Sequence, residues 1–154
     1  MISELEPMVA QLVTRVFATM LQMKAAPVAA NSETRSTEAH VAGSIGFSGT
    51  ITGLVHFNCS EKFARKIACS MLGLSDWQLD GNEMVDDVVG EITNMIAGNV
   101  ASELRNRGFS ANISIPTIVR GNNFSLHNIS GCKSMRHQFQ CDSALIDVEI
   151  VFKN

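Results

Sequence analysis

The sequence contains no tyrosine and a single tryptophan, Trp77, among its 154 residues. It has only three prolines and four cysteines. Cys59, Cys69, Cys132 and Cys141 form no CxxC pair, and no histidine follows them at zinc-ligand spacing. A disulfide framework and a cysteine-based zinc site are therefore not expected. No apolar run reaches the roughly 18 residues of a membrane span. Basic residues are in the minority: 12 Lys and Arg against 15 Asp and Glu leave a net charge of −3. Nucleic acid, which calls for a basic face, is not an expected partner, and neither is a membrane. The first residues carry Glu4 and Glu6 where a secretory leader would be basic, so the expected location is the cytoplasm. No low-complexity tract, linker or internal repeat divides the chain, and residues 1–154 read as one domain.

What is present is a core-forming composition, 45% hydrophobic and 18% charged, with eight Phe and eight Met. That is the balance of a globular fold rather than a disordered chain. Residues 2–24 predict an amphipathic helix, with Ile2, Leu5, Val9, Leu12, Val16, Met20 and Met23 at three- and four-residue steps. Pro7 fits only a first turn, which moves the expected start to Glu4–Glu6. Residues 25–36 read as a loop. Residues 38–57 predict a β-hairpin turning at Ser48-Gly49. Ser60 then caps a helix that runs to about Leu72. The longest helical pattern is 82–107, with Val85, Val89, Ile92, Ile96, Val100 and Leu104 as its buried stripe. Strands are expected at 111–120, 134–142 and 144–152. The last alternates Ile146, Val148, Ile150 and Phe152 with Asp147 and Glu149. The order α-β-β-α-α-β-β-β, with short turns between strands, predicts an α+β fold: an antiparallel sheet of about five to six strands with long helices packed on it.

The long helix also carries polar residues in register. Asp87, Glu91 and Asn94 stand at i, i+4 and i+7 and share one face, roughly opposite the Val89/Ile92/Ile96 stripe. Gly98 continues that face, at a cost of about 1 kcal/mol of helix propensity against Ala. Met84, Val88 and Met95 flank the line and are expected to offer apolar docking area. Acids and amides on the outer face of a helix are what any solvated helix shows, so the spacing alone assigns no function. The histidines, His40, His56, His127 and His137, are scattered over strands and loops and read as structural or solvated. No Cys stands in a glycine-rich, Arg-ended loop of the kind that holds a nucleophilic thiolate.

The string Asp87-Val88-Val89-Gly90-Glu91-Ile92-Thr93-Asn94 resembles the signature helix of the CheC/CheX/FliY family of chemotaxis phosphatases. That pattern is Asp or Ser, three residues, Glu, two residues and Asn, followed further along by Pro. Pro116 follows Asn94 after 21 intervening residues, one short of the usual spacing. A single Glu-x-x-Asn helix and a long N-terminal helix leading into a hairpin are most similar to the CheX type. The order of elements fits along the whole chain.

The resemblance implies a CheC-like fold and a phosphatase acting on the aspartyl phosphate of a CheY-type receiver domain in chemotaxis. It implies that Asn94 orients the attacking water and that Glu91 pairs with the receiver's active-site lysine. Asp87, Met84, Val88, Met95 and Gly98 become docking residues. No cofactor is expected in this chain, and Mg²⁺ is expected from the receiver. CheX-type proteins are dimers joined through sheet edges, so a homodimer is expected, with 134–152 or the 38–57 hairpin as the edge. The alternative is a non-catalytic docking domain of the flagellar-switch type, similar to the middle domain of FliM, which lacks the Glu-x-x-Asn pair.

Overall fold

A computed structural model of the chain describes residues 2–29, 38–122 and 131–153. Helix α1 (Ile2–Leu21) is followed by β1 (Ala25–Val28), β2 (His40–Gly49), β3 (Thr52–Ser60), α2 (Glu61–Leu72) and a short 3₁₀ turn over Asp76–Gln78. Helix α3 (Glu83–Asn106) leads into β4 (Ala111–Ile113), β5 (Thr117–Gly121), β6 (Cys132–Cys141) and β7 (Ala144–Lys153). The seven strands make one antiparallel sheet in the order β1-β6-β7-β3-β2, with β4 and β5 both pairing with β2. The fold is α+β, with the helices and strands in the order read from the sequence and two strands added to it, β1 and the division of 111–120 into β4 and β5, so that the sheet has seven strands rather than five to six.

One core holds it together. Leu5, Val9, Leu12, Val13 and Phe17 of α1 join Phe63, Ala64, Ile67 and Ala68 of α2 in it. Alternate strand residues complete it, among them Val41, Ile45, Phe47, Val55, Phe57, Phe139, Ile146, Val148 and Ile150. The side chains between them point to the other face of the sheet, as the period of two requires. There the paired residues Ser44, His56, Glu149 and Arg136 form a polar row across four strands. The Ser44 hydroxyl lies 2.9 Å from His56 Nδ1, and Arg136 pairs with Asp147 on the neighbouring row.

Several boundaries differ from the sequence reading. Helix α1 begins at Ile2 and carries Pro7 inside it, on a solvent-facing position where only one backbone N–H is lost. It ends at Leu21, because Gln22 takes a left-handed conformation (φ 49°) and the Met23 N–H turns back to Phe17 O. Residues 25–28, expected in a loop, are an edge strand paired with Gln138–Cys141. The Thr14 hydroxyl donates to Ala25 O at 3.1 Å and ties this strand to α1. The hairpin extends to Ser60 and turns at Thr50-Ile51, since Ser48 and Gly49 are already paired with β4. Ser60 caps α2 by accepting the Phe63 N–H at 3.1 Å.

The segment 111–120 is two strands on one path. Phe47 faces Ile113, and Ser44 faces Thr117. Two residues of β2 therefore lie opposite three, Ser114, Ile115 and Pro116. This is a one-residue β-bulge placed where Pro116 has no N–H to give the ladder. The expected dimer edges also change. Strands β2, β3 and β7 each have a neighbour on both sides, so neither the hairpin nor β7 is an edge. Among the described residues the edges are β1, the β4–β5 path and the first half of β6, Cys132–His137, which extends beyond β1.

Candidate functional site on helix α3

Helix α3 lies against the sheet with Val85, Val89, Ile92, Ile96, Val100 and Leu104 fully buried. Its opposite face presents Asp87 and Glu91, both exposed, and Asn94, half-buried. Glu91 and Asn94 are at i, i+3, which puts their Cβ atoms about 5–6 Å apart on one side of the helix. Among the described residues, neither side chain makes a hydrogen bond or an ion pair. A Cβ added to Gly98, one turn further on, would meet nothing within 4 Å. Among the described residues nothing covers this face at Glu91 or Gly98.

Three contacts fix this helix, and the sequence reading foresaw none of them. The first is a close approach: a Cβ on Gly43 of β2 would lie 2.1 Å from Thr93 Oγ1. Only glycine lets the helix backbone settle so near the sheet at the residue before Asn94. The Thr93 hydroxyl is fully buried and donates to Val89 O at 2.7 Å. In the second, Pro116 and Ile118 pack on Gly90, where an added Cβ would sit 3.4 Å from Pro116 Cγ and 3.8 Å from Ile118 Cδ1. The bulge thus touches the helix at the residue before Glu91. The third is ionic. Arg120 of β5 pairs with Asp86 in the first turn of α3 and, at 2.8 Å, with Glu61 in the first turn of α2. Gly43, in step with the core residues Val41 and Ile45 of β2, and a proline after β4 were the only sequence signals. The Arg120 pairings join residues 34 and 59 positions apart and leave no local trace.

The flanking residues divide. Met84 is 39% exposed and Met95 half-buried beside the Glu91–Asn94 line. Val88 is corrected: it is 5% exposed and belongs to the core, so it offers a partner almost no surface. It lies about 100° around the helix from Asp87, at the margin of a stripe that spans more than half the circumference. Asp87 takes no part in the ion pairs, since the neighbouring Asp86 makes them. On the other flank Ile113 and Ile115 are 38% and 85% exposed.

Outside this face, burial shifts several titratable groups. Burial lowers the pKa of His56 and, together with a weaker opposing effect of Glu6, that of His137. Burial pushes the Cys59 thiol up to about 12, against the nearby Arg120 charge. His40 Nδ1 lies 2.9 Å from Glu38 O, and His127 is outside the described residues. Among the described residues no three His, Cys, Asp or Glu side chains gather into a metal-ligand set. None of the described helices is long and apolar enough to cross a membrane. The chemistry available on α3 is a carboxylate, which can accept hydrogen bonds from a cation. Beside it is a carboxamide that both donates and accepts but takes up no proton at neutral pH.

The profile of the family described as "Chemotaxis phosphatase CheX" matches residues 41–140. That stretch runs from β2 to the end of β6 and includes the whole of α3. The CheY-P phosphatase CheX of Thermotoga maritima is 34% identical over 83 residues, 53% of this chain and 52% of that protein. The matched region thus spans about half the length of this curated relative. The crystal structure of the chemotaxis protein CheX from Vibrio vulnificus superposes with a TM-score of 0.80 at 26% identity, over 97% of this chain and 99% of that one. A chain of the CheX-CheY-BeF3-Mg²⁺ complex from Borrelia burgdorferi does so with a TM-score of 0.75 at 21% identity, over 95% of this chain and 96% of that one. The fold is that of the CheC-like superfamily. Within it, this chain belongs to the CheX family of chemotaxis phosphatases.

Proposed function

We propose that the chain hydrolyses the aspartyl phosphate of a CheY-type receiver domain in the cytoplasm, as a step of chemotaxis signalling. The observation that carries this reading is the pair Glu91 and Asn94. They stand side by side on the solvent face of α3, without partners among the described residues, on a helix held by Gly43, Gly90 and Arg120. Phosphoryl transfer asks a protein mainly for positioning and charge balance. The Asn94 carboxamide holds a water in line with the scissile bond. The water oxygen forms a new P–O bond, the aspartyl P–O bond breaks, and the aspartate carboxylate leaves. The water's proton goes to the phosphate, since Asn94 cannot take it. Glu91 pairs with the receiver's lysine and sets the docking register through a charge-assisted contact. Mg²⁺ belongs to the receiver and balances charge on the phosphoryl oxygens. Asp87, Met84, Met95 and Gly98 lie where the receiver docks. The chain forms a homodimer through the open edge of β6 at Cys132–His137, which leaves α3 free in both copies.

The test is phosphate release from a CheY-type receiver phosphorylated with acetyl phosphate, with and without the protein. The wild type should accelerate it. Asn94→Ala should lower turnover on the order of 10²-fold with binding retained. Glu91→Ala should weaken binding and turnover together. Equal turnover by wild type and Asn94→Ala would refute the assignment. Binding without acceleration by the wild type would make the chain a docking module.

A further inference from the structure

We infer that the β4–β5 bulge is a second half of the docking surface, with Ile115 as its apolar anchor. This rests on the receiver-phosphatase reading and names a recognition element outside helix α3. Ile115 is 85% exposed, more than any other large aliphatic residue among those described. A lone exposed Ile is ordinary, but this one is built into place. It is the middle of the three residues that face two on β2, at the point where the strand's alternation breaks. On one side the Ser114 N–H donates to Gly46 O at 2.9 Å, and the Gly46 N–H donates to Ser114 Oγ at 3.1 Å. On the other side, Pro116 restricts the backbone of Ile115 to extended conformations and rests on Gly90. A backbone so held loses little freedom when a partner covers it.

Its position gives it a use. Pro116 touches α3 at Gly90, immediately before Glu91, which places its chain neighbour Ile115 at the margin of α3 on the side of β4 and β5. Ile113, 38% exposed, extends the same flank, and Met84 and Met95 bound the other. The Glu91–Asn94 pair is thus bracketed by apolar side chains. A partner seated on all of them would shut bulk water away from the pair, as the neutral ring around an interface hot spot does. The occupant is the receiver. It presents a basic group to Glu91 and an apolar residue beside its phosphorylation pocket to Ile115.

The variants Ile115→Ala and Ile115→Asp test this. Phosphate release is followed over a range of concentrations of acetyl-phosphate-labelled receiver, with the melting temperature and the solution mass measured alongside. KM should rise about tenfold for Ile115→Ala and more for Ile115→Asp, while kcat at saturation stays within about twofold of wild type. Melting temperature should not move, because the side chain is exposed. Unchanged KM in both variants, with an active wild type, overturns the inference and leaves the phosphatase reading standing. A loss of kcat at constant KM overturns it as well. A change in solution mass without a change in KM would assign Ile115 to contact between copies and also overturn it. A wild type inert towards the receiver overturns both readings.

Discussion

Replacing Gly43 by alanine probes how closely α3 must lie on the sheet. The new methyl would sit 2.1 Å from Thr93 Oγ1 and 3.1 Å from Thr93 Cβ. Ordinary contact between such atoms is about 3.5 Å, so the surfaces must separate by about 1 Å. Thr93 cannot step aside without loss, because it is fully buried and its hydroxyl is bonded to Val89 O at 2.7 Å. Overpacking of this kind costs about 1–3 kcal/mol. For a chain of this size that is a fall in melting temperature of about 2–4 °C per kcal/mol. The displaced residue precedes Asn94, so a shift of about 1 Å directly reaches the group proposed to position the water. A misplacement of that order is worth about 10²-fold in rate. Urea denaturation and phosphate release should both be run on Gly43→Ala, Thr93→Ala and the double variant. Removing Oγ1 relieves the shorter clash and leaves the 3.1 Å one, so the double variant should recover much of the stability and activity. The coupling should be about 0.5–3 kcal/mol and of compensating sign. Gly43→Ala with wild-type stability and wild-type turnover would refute the claim that this approach sets the position of α3. So would strict additivity of the two substitutions.

Arg120→Ala should lower stability by about 1 kcal/mol, since its partners Asp86 and Glu61 are only partly shielded from water. It should lower turnover by more than its effect on melting temperature implies, because it frees the first turn of α3; equal activity at matched folded fraction would refute this. The pH profile of stability follows His56, whose pKa burial lowers from its usual 6.5. The unfolded chain takes up the proton first, so stability present above about pH 6.5 is lost as pH falls towards the folded value. His137 acts in the same direction. Ser44, Glu149, Arg136 and Asp147 share the sheet face of His56. Burial raises the pKa of both acids, which acts in the opposite sense as pH rises through the acid range. Melting curves between pH 5 and 8 should therefore fall on the acid side, and His56→Gln should flatten that slope.

Where the amino-acid pattern is long and periodic, the fold could be read from it. The stripe from Val85 to Leu104 and the alternation of Ile146 to Phe152 each repeat often enough to outweigh local exceptions. Ser60 announced α2 because an N-cap is a local device. Strand β1 was missed because four residues containing a proline become a strand only through β6 and the Thr14 hydroxyl. The break at Ser114–Pro116 was missed for a related reason. A bulge is a relation between two strands, and half of it resides in β2. At the site, spacing placed Asp87, Glu91 and Asn94 on one face of α3. It could not show that Val88 falls inside the core margin, or that Asp86 rather than Asp87 holds Arg120. Those outcomes depend on how the neighbouring elements close around the helix.

The bulge has a second consequence at the edge of the sheet. An unpaired outer strand is a template on which another chain can extend the ladder. Here the template is cut into a run of three residues and a run of five, offset by one position, with a proline between them. A straight incoming strand that matches β4 is out of register with β5, and it finds no N–H at Pro116. The same residues that present Ile115 to a partner thus deny this side of the molecule to fibrous self-association, and the edge stays open to side-chain docking while closed to backbone pairing.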